Sequence, residues 1–405
     1  MRSGLRLLST DPIGSDCIPC ARVRRRLALL VALLAALLAP AAAPASTPPP
    51  LLARAALVAN GDTGEILFTR NADRRVPMAS ITKLMTALVT LERVRPSALA
   101  TVRGPAPGIG GSTVGLIPGE RLSVRDLLAA ALIESANDAA YALAAHVGRG
   151  QVGRFVGYMN QRAGELGLEN THFVRPDGLD VRGHYSSARD AFVLARAAME
   201  RPLVRRLVRQ RALEIGGGRV VDTWNDLLGR FRGLFGVKTG HTDRAGWSQV
   251  AAARRNGVTI YAVLLGSPTR AQRNADLSEL LLWGFDQYAP VRLITAARRY
   301  ATAGVPFGDE RIPLVASADA RAVVQLGRPL VQRVIVPAVL DPPLTVGDRV
   351  GEIRVYAGKR LVVRRPLVAG QDVSEPSLPR RAGWYAGRAL DELWGMLETA
   401  FPAIG

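Results

Sequence analysis

Ser80 and Lys83 stand three residues apart in the apolar stretch MASITKLM, residues 78–85. A serine hydroxyl is a weak nucleophile until a base takes its proton, and a desolvated lysine amine can be that base. The chain has 53 Lys plus Arg, yet its only lysines are Lys83, Lys238 and Lys359. Arginine is effectively never deprotonated, so a lysine in so arginine-biased a chain marks a place where arginine would not serve. At positions i and i+3 of a helix the two side chains share one face. Ser80 would stand at the helix N-terminus, where unpaired backbone N–H groups can stabilise an oxyanion. Ser-x-x-Lys alone arises often by chance.

Two further pieces follow it. Ser135-Ala136-Asn137 comes 55 residues after Ser80, and Lys238-Thr239-Gly240 comes 103 residues after Ser135. Ser135 falls at an expected helix break, where a side chain can reach a cleft; the plainer reading is an ordinary cap. Lys238-Thr239-Gly240 ends a strand-like run, and its glycine admits close approach of a substrate backbone; the plainer reading is a turn. Each is unremarkable alone. Together, in this order and at domain-like spacing, they make a Ser/Lys/Ser/Lys constellation for acyl transfer.

The elements that must position these residues are readable. Residues 51–70 read as two strands joined at Asn60-Gly61-Asp62. From Ser80, the apolar residues Ile81, Leu84, Met85, Leu88 and Leu91 recur at helical spacing and predict a largely buried helix. Residues 123–134 predict another, with Ser123 and Asp126 as an N-terminal capping pair. A third restarts after Ser135, and 152–167, 187–199 and 273–288 read as helices. LFGVKTG, WSQVAAARR and GVTIYAVLLG read as strand or strand-like. The mixed order predicts a sheet with helices packed on it. From Pro290 to about 378 come short alternating strands with Gly and Pro turns, a small all-β domain. The segment SEPSLPRRAG reads as a linker to a terminal amphipathic helix, with Ala386, Leu390, Leu393, Trp394, Leu397 and Phe401 on one stripe. Such a stripe suits a membrane interface; the alternative is docking on its own protein.

Composition narrows the classes. The chain has 405 residues, 48% hydrophobic and 21% charged, which fits a globular protein of two domains. Residues 1–45 read as a secretory signal: Arg22, Arg24, Arg25 and Arg26, the apolar run Leu27–Ala39, and small residues ending at Ala43 and Ala45. That run is about 13 residues, short of the roughly 20 that span a bilayer. Both cysteines, Cys17 and Cys20, lie upstream of the expected cut, so the exported chain would hold no disulfide. The four histidines lack ligand spacing, and no metal is expected. Net charge is +19, and +15 once the six Arg and two Asp of residues 1–45 are gone. A basic exported protein is drawn to phospholipid headgroups or acidic wall polymers; nucleic acid is not expected as a partner, because export removes it and no binding motif or basic run is present after residue 45.

The triplet resembles the penicillin-binding proteins and serine β-lactamases. The wider segments DTGEILFTRNADRRVPMASITKLMTAL, IESANDAAYALA, NTHFVRPDGLD, NDLLGRFRGLFGVKTGHTDRAGW and RNADLSELLLWGF look like the low-molecular-mass D-alanyl-D-alanine carboxypeptidases, over about residues 51–288. The resemblance implies an α/β (α+β) serine β-lactamase/transpeptidase-like domain, with an antiparallel sheet flanked by helices. A small all-β stalk and an amphipathic helix would follow it. The expected boundaries are 1–45 signal, 46–289 catalytic domain, 290–378 β domain, and 379–405 linker and anchor helix.

By the same resemblance, Ser80 attacks the penultimate D-alanine carbonyl of a peptidoglycan stem peptide and Lys83 is its base. Ser135 relays a proton to the leaving D-alanine, and Asn137 orients the substrate amide and Lys83. Lys238 supplies positive potential. Thr239, beside Gly240, joins Arg273 in holding the terminal carboxylate, and the backbone N–H groups of Ser80 and His241 form the oxyanion hole. No metal or organic cofactor is implied. The implied partners are stem peptides ending in D-Ala-D-Ala, β-lactam inhibitors and, through the terminal helix, the outer face of the cytoplasmic membrane.

Three rivals have their own signatures. A D,D-endopeptidase would use the same residues on a larger substrate. A β-lactamase needs a group for fast deacylation; Glu165 and Glu169 lie between the second and third motifs, but no Glu-x-x-Leu-Asn pattern does. A wall-binding scaffold with a dead site would not keep every catalytic position.

Overall fold

The computed structural model describes residues 36–38, 47–308 and 310–400. Most of the expected signal segment, with Cys17 and Cys20, lies outside the described residues, as does Phe401 of the terminal stripe.

The larger, N-terminal half is built on a five-stranded antiparallel sheet: β1 (Ala55–Asn60), β2 (Ile66–Arg70), β3 (Leu234–Thr242), β4 (Gly246–Arg255) and β5 (Val258–Ser267), in the order β2-β1-β5-β4-β3. The two expected strands of residues 51–70 are β1 and β2. Asn60 closes their turn, its Oδ1 accepting from the N–H groups of Asp62 and Thr63. The inner strands read as near-continuous apolar runs because both faces are covered. Side chains alternate: Leu57, Ala59, Val250, Ala252, Tyr261 and Val263 face a large helical layer. Ala56, Val58, Ala251, Ala253, Ile260 and Ala262 face the other side, with Leu277, Leu280 and Leu281 of the last helix of this half.

Seven helices pack on these faces: α1 (Lys83–Arg93), α2 (Val124–Ala129), α3 (Asn137–Val147), α4 (Val152–Glu165), α5 (Ala188–Glu200), α6 (Pro202–Leu207) and α7 (Arg270–Asp286). The periodic residues Ile81, Leu84, Met85 and Leu88 are fully buried, as their spacing requires. Two helices depart from expectation at their ends. Ser80 lies in a tight 3₁₀ turn, Ala79–Thr82, and regular helix begins only at Lys83. The helix expected over 123–134 is capped by Ser123, whose Oγ accepts from Asp126 N–H at 3.0 Å, but opens into a π turn at Ala130–Glu134 before breaking at Ser135.

A second, all-β domain begins with Tyr288–Ile294, which pairs with Ala320–Gln325. Its main sheet runs Arg299–Gly304, Arg311–Ala316, Arg360–Ala369, Arg349–Ala357, Leu330–Ile335 and the short strand Ala36–Leu38. It has its own core, including Ile312, Leu314, Ile353, Val355 and Leu367. It meets the larger half near the β1–β2 turn, where Asn60 Nδ2 donates to Tyr288 Oη at 2.8 Å and Glu65 pairs with Arg328.

The terminal helix α8 spans Leu378–Ala400. It starts earlier than expected, so Leu378–Gly383 of the anticipated linker is already helical. Trp384 and Tyr385 anchor it on Phe307 of the β domain, with ring centroids at 5.2 and 5.7 Å. Leu390, Leu393 and Trp394 of the apolar stripe point into solvent. Among the described residues no helix is long and apolar enough to cross a membrane.

Candidate active site

The 3₁₀ turn explains why the spacing of three works. It has three residues per turn, so residues i and i+3 eclipse. Lys83 Nζ therefore lies 2.8 Å from Ser80 Oγ. Lys83 is completely buried, and its two other polar partners are Asn137 Oδ1 at 2.7 Å and the Asp177 carbonyl at 2.8 Å. Both are acceptors only. A neutral amine has two N–H bonds and one lone pair; the two oxygens take the N–H bonds and the lone pair is left facing the Ser80 hydroxyl. Burial lowers the Lys83 pKa to about 7.

Close backbone contacts hold the Ser80 turn. Gly178, at φ +93°, passes so near that a Cβ there would fall 2.0 Å from the Ala79 carbonyl oxygen. A Cβ on Gly240 would lie 2.9 Å from Ser80 N. Glycine at both places lets the β3 strand and the 177–179 loop close on the Ser80 turn. Behind the turn, Val174 N–H donates to His184 Nδ1 at 3.0 Å, which fixes the tautomer. His184 Nε2–H then donates to Thr82 Oγ1 at 2.8 Å, and Thr82 in turn donates to Ala79 O at 2.8 Å.

Ser135 ends the π turn in the left-handed region, at φ +68°. A non-glycine residue there is strained, and such strain clusters at functional sites. It aims Ser135 at Lys238, whose Nζ donates to Ser135 Oγ at 2.9 Å and to the Thr239 carbonyl at 3.0 Å. Burial first, then repulsion from Lys83 and Arg273, pushes Lys238 well below the ordinary lysine range. Asn137 opens α3; its Nδ2 donates to Gly110 O at 2.7 Å. Asp138 beside it accepts from the N–H groups of Val114 and Leu116, pinning the loop that forms this wall.

The cleft, about 570 Å³, is lined by Ser80, Ser135, Asn137, Thr239, Gly240, His241 and Arg273 among others. Of the nine residues singled out in the sequence, those seven reach it directly. Lys83 and Lys238 lie just beneath, bonded to its two serines. Arg273 is buried. Its Nη2 donates to Asp226 Oδ2 at 3.0 Å and Asn274 Oδ1 at 2.6 Å, and the guanidinium lies 5.6 Å over Trp247. Arg270 grips the same Asp226 at 2.5 and 2.8 Å.

Sequence reasoning missed this support: Asp226, Arg270, Trp224, Trp247, Leu179 and the Asp177 carbonyl. Asp226 and Trp247 fall inside segments that carried the resemblance; nothing in the sequence marks a backbone carbonyl.

Residues 42–269 match the family model for D-alanyl-D-alanine carboxypeptidase, and residues 288–375 match that for the C-terminal domain of penicillin-binding protein 5. The D-alanyl-D-alanine carboxypeptidase DacA of Escherichia coli (strain K12) is 31% identical over 369 residues, which cover 87% of this chain and 90% of that one. The structure of penicillin-binding protein 5 from Haemophilus influenzae superposes with a TM-score of 0.59 at 29% identity, over 82% of this chain and 100% of that one. Ampicillin-bound penicillin-binding protein D2 from Listeria monocytogenes gives a TM-score of 0.54 at 33% identity, over 59% of this chain and 100% of that one. With the Ser80/Lys83/Ser135/Lys238 cleft intact and both domains matched, the chain belongs to the D-alanyl-D-alanine carboxypeptidase family of low-molecular-mass penicillin-binding proteins.

Proposed function

We propose that the protein is a serine D-alanyl-D-alanine carboxypeptidase that removes the terminal D-alanine from peptidoglycan stem peptides through an acyl-enzyme on Ser80. The observation that carries the proposal is the Lys83 amine, buried with no carboxylate partner among the described residues and 2.8 Å from Ser80 Oγ.

Arg273 and Thr239 take the substrate's terminal carboxylate. That carboxylate brings a negative charge into the cleft and draws a proton onto Lys238. Lys83 Nζ accepts the Ser80 proton as Oγ bonds to the penultimate carbonyl carbon. The backbone N–H groups of Ser80 and His241 hold the resulting oxyanion. As the C–N bond breaks, Ser135 gives its proton to the departing amine and is reprotonated from Lys238. Asn137 keeps Lys83 aimed throughout. Water then attacks the ester, its proton passing through Ser135 to the Lys238 amine, while Lys83 returns the proton it holds to Ser80 Oγ as the ester C–O bond breaks. A β-lactam follows the first half of this path and stays on Ser80.

We also read residues 1–45 as an export signal, and α8 as a foot on the membrane surface. The outward apolar stripe supports the foot: Trp394 is 65% and Leu390 59% exposed. A chain ending at Ser377 should lose co-sedimentation with anionic vesicles and keep activity on soluble peptide.

The test of the chemistry is intact mass after benzylpenicillin, alongside D-alanine release from a peptide ending in D-Ala-D-Ala. The expected result is a lasting adduct on Ser80 and D-alanine release, both lost in Ser80→Ala. Rapid penicillin turnover, or neither adduct nor release, would overturn the proposal.

A further inference from the structure

A second cavity, of about 330 Å³, lies at the other end of the five-stranded sheet. It is bounded by the β1–β2 turn, the ends of β4 and β5, α5 and α6. Arg254 and Thr259, which pair across β4 and β5, sit on it. Ser248, which faces Gly240 in the substrate cleft, is six residues back along β4, roughly 20 Å at the rise of a strand.

Four guanidinium groups converge here, Arg196, Arg205, Arg209 and Arg254, with the carboxylates Asp62 and Glu200. Asp62 is occupied, accepting from Thr259 N–H at 2.9 Å and Thr259 Oγ1 at 3.0 Å. Arg205 spends one nitrogen on the carbonyls of Met199 and Glu200, closing the end of α5. Arg196 and Arg209 stack on Phe192 and Phe235, at 5.7 and 5.0 Å, and meet no carboxylate at ion-pair distance among the described residues.

A chain with net charge +19 will leave arginines unpaired on its surface, so the cations alone say little. Tyr261 is the second, independent observation. It is 6% exposed, lines the cavity, and finds no hydrogen-bond partner for its hydroxyl among the described residues. Its oxygen is not among the fully enclosed unpaired polar atoms of the described residues, so the ring is buried while the hydroxyl is open to the cavity. Burial raises its pKa to about 12, so it remains an O–H donor at any ordinary pH.

We infer that this cavity is a second binding site, distinct from the Ser80 cleft, that takes the phosphate group of a mono- or diester on Tyr261 Oη and the guanidinium groups of Arg196, Arg209 and Arg254. Arg254 Nη1 lies 3.9 Å from Asp62 Oδ1, and apart from the exposed Glu200 carboxylate the groups left open are donors, so the ligand must offer acceptors. They come from α5, the end of α6 and β4, which suits the oxygens of a tetrahedral phosphate, and planar guanidinium groups match phosphate bidentately.

The test is calorimetric titration of the full chain with inorganic phosphate and with glycerol 3-phosphate. One saturable site is expected. Tyr261→Phe removes a hydroxyl that binds no protein group and should weaken binding about 3- to 10-fold, and Arg196→Gln about 10-fold or more. Arg364→Gln removes the same charge from an exposed strand of the β domain and should stay within about 2-fold, with D-alanine release unchanged in all three. Phosphatidylglycerol vesicles then separate the sources. If vesicle binding weakens in Tyr261→Phe and Arg196→Gln, the phosphate belongs to a lipid headgroup; if only the solution titrations weaken, the ligand is soluble. Absence of saturation, or equal weakening in Tyr261→Phe and Arg364→Gln, would overturn the assignment.

Discussion

Lys83 and Arg273 serve one cleft and are almost fully buried, at 0% and 1% exposure, yet they are held in opposite ways. Arg273 has a carboxylate, Asp226 Oδ2, at 3.0 Å. Lys83 has none at that distance among the described residues. Its nearest acid, Asp177, turns its carboxylate to Arg175 at 2.5 and 2.9 Å and offers Lys83 only its backbone carbonyl. A buried cation without a counter-ion loses its proton readily; one with a counter-ion keeps its charge. Lys83 accordingly falls to about 7 and can act as a base. Arg273, lowered by burial only to about 10, stays charged through neutral pH and can bind a carboxylate. The same fold thus makes one cation a titrating group and the other a fixed charge, by where it spends its few buried acids.

The largest effect should come from removing that difference. Lys83→Arg keeps a cation beside Ser80 but one that does not titrate near neutrality, and the rate of Ser80 acylation by benzylpenicillin should fall about 10³- to 10⁴-fold. In the wild type that rate should rise about tenfold per pH unit below pH 7 and level off above it, because the neutral amine is the competent form. A flat profile from pH 5 to 9, or a Lys83→Arg variant acylated at the wild-type rate, would break the comparison. Asp226 is held down at about 2, chiefly by its hydrogen bond with Arg270, so the carboxylate clamp keeps its charges over that range and contributes no limb of its own.

How much of this was open to the sequence depends on the kind of contact. The convergence of Ser80, Lys83, Ser135, Asn137 and Lys238 was legible because each lies in a short motif and meets its neighbours through its side chain. The helix faces were legible because burial of Leu84, Met85 and Leu88 forces a period. The acid that Lys83 lacks was not, since it depends on Arg175 occupying Asp177. The 3₁₀ turn at Ser80 and the π turn before Ser135 were also hidden. Both are local departures from a helical pattern whose apolar spacing is unchanged by them.

The next effect is on the fixed charge. Arg273→Gln should raise KM for a peptide ending in D-Ala-D-Ala about 10- to 100-fold, the worth of a charge-assisted hydrogen bond, with a smaller change in kcat. Asp226→Asn leaves Arg273 in place but loosens its aim, so KM should rise by about tenfold or less, and Asp226→Glu should recover part of it. If Asp226→Asn instead matched Arg273→Gln in full, the carboxylate would be doing more than positioning the guanidinium.

The smallest effect concerns a third buried group that has neither a counter-ion nor a catalytic proton to move. His184 is held neutral behind the Ser80 turn, its pKa lowered to about 4, mainly by burial. Its unfolded value is near 6.5, so between those limits the unfolded chain binds the extra proton. Stability is therefore full above pH 6.5 and falls as the pH drops toward 4. At pH 5 the loss is about 2 kcal/mol for this group alone. His184→Gln cannot titrate; it should be less stable than the wild type at pH 7.5, where the Thr82 bond is disturbed, but should lose less between pH 7.5 and 5. Urea midpoints at the two pH values measure this, and taking the difference between the chains cancels the carboxylates common to both. Equal losses in both chains would mean that His184 titrates in the folded chain as it does in the unfolded one, because the turn opens to solvent first. A smaller loss in the variant would assign to His184 a pH dependence of stability below 6.5, distinct from the Lys83 limb of activity near 7.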